Sequence, residues 1–272
     1  MDRGGGAVYE EFYGLKEKPF SKTPDPRFLY HSAKHAEALA RLQHAVEEQD
    51  IVLLTGEIGS GKTTLSRAFI DSLDASYRPL LIINPRLSPS QLLRTVALRL
   101  GMDDAARLRH GILEGINARL YELYEEGKRP VIIIDEAQLI PGKATFEELR
   151  LLTNFQLDDR NLLSIVLIGQ TELRDRLNRR PYQALRQRIG MQYHLGPLDA
   201  GETAFYVQYR LRVAGREAPL FDEQALALLY EHSGGIPRRI NILAANALVE
   251  GFGREAAIID ADIMESVVKD GA

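Results

Sequence analysis

The chain has 272 residues, 45% of them hydrophobic and 26% charged, which is ample for a sizeable core and matches ordinary globular composition. Its formal net charge of −4 argues against a binder that holds polyanions by bulk charge alone, while leaving room for a local basic face. The absence of cysteine removes disulfides, thiolate zinc sites, iron–sulfur clusters and cysteine nucleophiles together, and is compatible with a reducing compartment.

The opening Met1–Gly6 has no apolar stretch of signal-peptide type and reads as a flexible tail. Lys18–Tyr30 follows, with prolines at 19, 24 and 26 that exclude a continuous helix. Its apolar Phe20, Phe28, Leu29 and Tyr30 predict an extended strap lying on the body that the following strand-and-helix segments form. Next come four short apolar runs, Ile51–Leu54, Leu80–Ile83, Val131–Ile134 and Ile165–Ile168. None approaches the roughly 18 apolar residues of a membrane span. They are continuous rather than alternating, so they predict strands buried on both faces, as in a parallel sheet. Amphipathic stretches near 62–74, 89–100, 112–127 and 146–156 separate them, which implies βαβ units and a doubly wound sheet. A further strand is expected at Gly190–Leu195. Beyond Gly196-Pro197 the pattern is helical, at about 200–214, 222–232, 237–251 and 260–269. Asp199, Asp222 and Asp260 stand at N-cap positions, Pro237 suits a first helical turn, and Gly215 and Gly251 suit helix ends.

The strongest chemical signal is Gly56-Glu57-Ile58-Gly59-Ser60-Gly61-Lys62-Thr63, a G-x-x-x-x-G-K-[ST] phosphate-binding loop. Glycines allow the backbone to aim several N–H groups at one point, and the following helix, from Thr64 on, adds its N-terminus. Lys62 supplies a cation for β- and γ-phosphates, and Thr63 a hydroxyl for Mg²⁺. The second signal is Val131–Ile134 running into Asp135 and Glu136 at the C-terminal end of a strand, the edge where open α/β sheets bind ligands. Asp135 is expected to hold Mg²⁺ and Glu136 to polarise an attacking water. Adjacent acids on a strand point to opposite faces, which would give them separate jobs.

These motifs resemble the Walker A and Walker B elements of an AAA+ ATPase, and the segment after Pro197 resembles the AAA+ helical lid. The resemblance implies three further roles. Gln170, after Ile165–Ile168 and Gly169, looks like sensor 1. Leu185-Arg186-Gln187-Arg188-Ile189 looks like the segment whose arginine reaches a neighbouring subunit's site, with Arg186 slightly favoured over Arg188. Gly234-Gly235-Ile236-Pro237-Arg238-Arg239 looks like sensor 2, with Arg238 as the nucleotide contact and Arg239 facing solvent or a partner. Phe12-Tyr13-Gly14-Leu15, Lys18-Pro19-Phe20, Thr23–Tyr30, Asn84–Ser88 and Leu195–Leu198 are similar to segments of the ExeA/GspA family over nearly the whole chain. That family includes accessory ATPases of type II secretion, pilus biogenesis and exosortase-associated systems. By this resemblance Arg27–His35 would lie by the adenine.

The resulting expectation is an α/β, AAA+ P-loop NTPase fold with a tail and strap at 1–30, an αβα ATPase domain at 31–196 and an all-helical lid at 197–272. The implied function is Mg-ATP binding and hydrolysis by a cytoplasmic homo-oligomer, a ring such as a hexamer, that drives or switches an envelope assembly machine. Such proteins can carry a membrane span and a cell-wall-binding domain after the ATPase. The chain's end at Ala272 implies either a shortened protein or a stand-alone ATPase, membrane-associated through a partner or a missing region. Two rival readings are a duplex-DNA-associated ATPase similar to transposition helpers, and a nucleotide-gated scaffold with little turnover. The six histidines show no metal-ligand spacing; His35 is a candidate base-side contact. The arginines at 174, 176, 179, 180, 186 and 188 form a weak nucleic-acid signal and equally suit a subunit interface.

Overall fold

The computed structural model describes residues 8–21, 26–28, 30, 32–102, 108–158 and 160–270. The expected tail, the Lys22–Asp25 part of the strap, Leu29 and His31 lie outside the described residues. The chain forms two compact units, one of residues 34–58 and 65–195, the other of residues 1–33, 59–64 and 196–272.

The first unit contains five strands: β1 (Ile51–Gly56), β2 (Tyr77–Ile82), β3 (Arg129–Ile134), β4 (Ser164–Gly169) and β5 (Ile189–Leu195). They form one parallel sheet in the order β2-β3-β4-β1-β5. Every strand therefore ends at the same edge. The helices, in chain order from the start, are α1 (Val8–Phe12), α2 (Ala33–Glu47), α3 (Lys62–Ser72), α4 (Pro89–Arg99), α5 (Arg109–Glu125), α6 (Lys143–Leu152), α7 (Thr171–Leu177) and α8 (Gln183–Arg186).

Successive strand residues point to opposite faces, and the two faces have separate cores. Ile51, Leu53, Ile132, Ile134, Ile165 and Leu167 pack with α4, α5 and α6, whereas Val52, Leu54, Val131, Ile133, Val166 and Ile168 pack with α2 and α3. Burial on both faces is why these runs are continuous in sequence. Leu80–Ile83 departs from that expectation. Its strand is an edge strand that ends at Ile82, and Ile83 is exposed.

The second unit contains α1, α9 (Ala200–Val213), α10 (Glu223–Ser233), α11 (Pro237–Gly253) and α12 (Ala261–Lys269). Asp199, Asp222 and Asp260 each accept a hydrogen bond from a backbone N–H in the first turn of the following helix, and such caps stabilise by about 1 kcal/mol each. Pro237 occupies the first turn of α11. Gly251 does not end that helix, which runs on to Gly253. A Cβ at Gly251 would lie 2.4 Å from Ile259 Cδ1 and 2.5 Å from Tyr13 Oη, so the residue is small to admit close packing.

The strap also departs from expectation. Tyr13 and Leu15 before it, and Phe20 and Phe28 within it, are buried in the apolar core of the C-terminal helices. Arg210 explains the anchoring: its Nε donates to the Pro19 carbonyl at 2.6 Å, and its guanidinium lies 4.7 Å from the centre of the Phe28 ring. Tyr209 Oη donates to the Arg27 carbonyl, and Arg216 to that of Tyr13.

Candidate functional site

The glycine loop begins where β1 ends, at Gly56, and closes where α3 begins, at Lys62. Gly59 and Gly61 take φ of +85° and +99°, the left-handed region that side chains with a Cβ rarely adopt. Gly59 also meets a neighbour: its carbonyl accepts the backbone N–H of Arg238 at 3.2 Å, and a Cβ there would lie 2.5 Å from Arg238 Cβ. Ser60 is buried, and its Oγ has no hydrogen-bond partner among the described residues. Lys62 is buried, Thr63 exposed and Thr64 half-buried, while Ile58 is exposed at the loop's outer side. The Glu57 carboxylate accepts from Thr171 Oγ1 at 3.0 Å, so this acid links the loop to the start of α7.

At the C-terminal end of β3, Asp135 extends the ladder through its N–H to the Ile82 carbonyl at 3.0 Å. Its side chain is buried, and Oδ1 accepts the N–H of Glu136 at 2.9 Å. Glu136 has left the strand. Its φ of 54° and ψ of 37° are left-handed, and a short 3-10 turn, Ala137–Leu139, follows. The expectation that strand alternation separates the two acids is therefore corrected: a backbone kink, not the pleat, aims Glu136. Its Oε2 accepts from the side-chain amides of Gln138 and, at 3.3 Å, Gln170. Gln138 Oε1 in turn accepts the backbone N–H of Gln170 at 3.2 Å. The structure thus brings Glu136 and Gln170 together, and adds Gln138, which the motif reading missed. No spacing rule marks a glutamine two residues after the second acid; only the turn places it here.

Thr63, at the start of α3, carries a hydroxyl and Asp135, after β3, a carboxylate, each a donor type that a hard divalent cation takes. Among the described residues no three His, Cys, Asp or Glu side chains form a metal cage of their own.

Arg186 ends α8 and Arg188 lies two residues on, both exposed. Arg188 Nη2 donates to Asn154 Oδ1 at 3.0 Å. Arg238 and Arg239 are exposed in the first turn of α11, where Arg239 donates to the His232 carbonyl at 2.7 Å. One member of the arginine cluster is structural. Arg176 donates to Tyr182 Oη and to the carbonyls of Gln138 and Ile140, and lies 5.0 Å and 5.2 Å from the centres of the Phe146 and Tyr182 rings. It braces the turn that carries Gln138. His35 is buried in the first turns of α2.

Comparison with known proteins bears on the family and the fold. Residues 43–177 match the family model described as "AAA domain". The chain is 42% identical over 261 residues to general secretion pathway protein A of Aeromonas hydrophila. That match covers 94% of this chain and 47% of the relative, so the chain spans about half the relative's length. Among solved structures, the ORC2 protein of Aeropyrum pernix, in ADPNP and ADP complexes, superimposes with a TM-score of 0.65 at 19% identity, over 93% of this chain and 71% of that one. The RuvB Holliday junction branch migration motor of Thermotoga maritima gives 0.58 at 21% identity, over 88% and 69%. At such identities the structures speak for the fold. The structure thus has the fold of AAA-type P-loop NTPases, residues 43–177 resemble an AAA domain, and the chain is similar to general secretion pathway protein A.

Proposed function

We propose that the chain binds Mg-ATP and hydrolyses it to ADP and phosphate. The observation that carries this reading is the Gln170 amide on the Glu136 carboxylate at 3.3 Å, a base and a polar partner at the sheet edge where the phosphate loop also begins. In this reading the loop's backbone N–H groups and Lys62 hold the β- and γ-phosphates, and Thr63 and Asp135 hold Mg²⁺. The metal, when bound, neutralises charge on the phosphate oxygens. Glu136 takes a proton from a water that Gln170 orients. The water oxygen bonds to the γ-phosphorus, the β–γ bridging bond breaks, and ADP leaves with its electron pair. Arg238 contacts the nucleotide from α11. Arg186 or Arg188 contributes charge to a neighbouring subunit's site, which makes turnover depend on self-assembly into a ring. We take residues 31–196 as the ATPase domain and 197–272 as a lid.

The machine served is read from the relative. Its name, general secretion pathway protein A, supports a link to secretion, and in our reading the chain is a cytoplasmic ATPase that drives or switches an envelope assembly machine. No helix among the described residues is long and apolar enough to cross a membrane. The test is ATP turnover with and without duplex DNA. DNA-independent turnover that climbs with protein concentration supports the envelope reading. A rise of tenfold or more with DNA replaces it with a DNA-associated motor, and no turnover leaves a nucleotide-gated scaffold.

A further inference from the structure

Glu136 is the only described residue of the β3 end with left-handed backbone, so its side chain has no strand to fix its direction. Its direction is fixed by amides. The orientation of the Gln138 amide follows from chemistry: a carboxylate can only accept and a backbone N–H can only donate, so Nε2 must face Glu136 and Oε1 must face Gln170. One side chain thereby ties the end of β3 to the end of β4. Both amide donors, from Gln138 and Gln170, meet the same Oε2, which leaves Oε1 as the oxygen to receive a proton. Two further features serve the arrangement. Arg176 holds the Gln138 carbonyl at 3.4 Å. Gly169 leaves space, since a Cβ there would lie 2.9 Å from Gln138 Oε1.

We propose that Gln138 is a positioning residue for the hydrolytic reaction: it touches neither substrate nor water, and acts by holding Glu136 Oε1 toward the attacking water. The proposal rests on the reading of Glu136 as the catalytic base. A carboxylate swung off its productive position by an ångström loses on the order of 100-fold in rate, while nucleotide held by other groups stays bound. Gln138 is thus a determinant of kcat and not of affinity.

The test uses Gln138→Glu, which keeps the shape and the acceptor toward Gln170 but removes the donor to Glu136, alongside Gln138→Ala. Steady-state ATP turnover should show kcat reduced at least tenfold in both variants, with KM within threefold of the original protein. Unchanged ATP affinity by direct titration shows that each variant is folded. In a Glu136→Gln background, single-turnover hydrolysis should fall less than twofold further on adding Gln138→Glu, because the residue acts through Glu136. Normal or raised kcat in the Gln138 variants overturns the proposal, as does an equal loss in both backgrounds, which marks a merely structural role. Loss of ATP affinity together with kcat also overturns it. An inactive original protein, or a fully active Glu136→Gln variant, overturns the underlying reading instead, and the proposal falls with it.

Discussion

The backbone N–H of Arg238 donates to the carbonyl of Gly59 at 3.2 Å, so the start of α11 is fastened to the phosphate loop by main chain alone. Only glycine fits at the loop side of this contact, on two counts: its φ is +85°, and a Cβ would lie 2.5 Å from Arg238 Cβ. Gly59→Ala should therefore distort the loop. A left-handed alanine costs roughly 1–2 kcal/mol before the clash is relieved. ATP affinity should fall tenfold or more while the far-ultraviolet circular dichroism is kept. Titration with a fluorescent ATP analogue checks this, and unaltered affinity would show that the loop tolerates separation from α11.

Lys62 is buried at the first position of α3, in the phosphate-loop motif. Lys62→Ala should abolish measurable ATP binding by calorimetry at concentrations that saturate the original protein. Retained affinity would count against the phosphate-loop assignment.

The two candidate trans-acting arginines differ in engagement: Arg188 is bonded to Asn154, while Arg186 is exposed at the end of α8. Arg186→Ala should leave ATP affinity intact and lower kcat by about a thousandfold, the scale of an arginine finger, with Arg188→Ala much milder. Mixing Arg186→Ala with Glu136→Gln should restore part of the activity, because one mixed interface then carries both intact groups. Absence of any rescue, or two harmless substitutions, would remove the shared-site model.

Asp50 makes a pH prediction away from the site. Burial first, and the neighbouring Glu48 charge second, push its carboxyl above the ordinary range, with His44 opposing. A raised native value means the folded chain holds this proton more tightly than the unfolded chain. Its contribution to stability is present at acid pH and is lost as pH rises through the native value. Asp50→Asn removes that loss. Its melting temperature should exceed the original by about 1–3 °C at pH 7 and match it near pH 3. A lower melting temperature at pH 7 would contradict the sign.

The central strands were legible because burial on both faces writes itself as unbroken apolar runs, as in Val131–Ile134 and Ile165–Ile168. The phosphate loop was legible because its chemistry needs glycines and a lysine at fixed spacing. Helix α2 was missed, although His35, Ala38, Leu42, Ala45 and Val46 recur on one buried face. Alanine carries much of that face and reads weakly as apolar. Helix α7 was hidden in the arginine cluster, where only Leu173 and Leu177, four apart, record its buried side. The strap was recognised from its prolines and aromatics, but not its seat, because aromatic residues announce burial without naming the surface that buries them. The kink at Glu136 and the Gln138 bridge depend on a left-handed non-glycine residue and on contacts across strands, neither of which leaves a pattern along the chain.

In the proposed function Glu136 is the base of an ATP-hydrolysing site completed by self-assembly. The most direct measurement is ATP turnover per subunit against protein concentration, for the original protein and for Glu136→Gln, with ATP affinity measured alongside. Specific activity should climb with concentration in the original protein, while the variant should bind ATP equally well and turn over at least 100-fold more slowly. A Glu136→Gln variant that hydrolyses ATP at the original rate, or specific activity independent of concentration down to fully dissociated subunits, would contradict it.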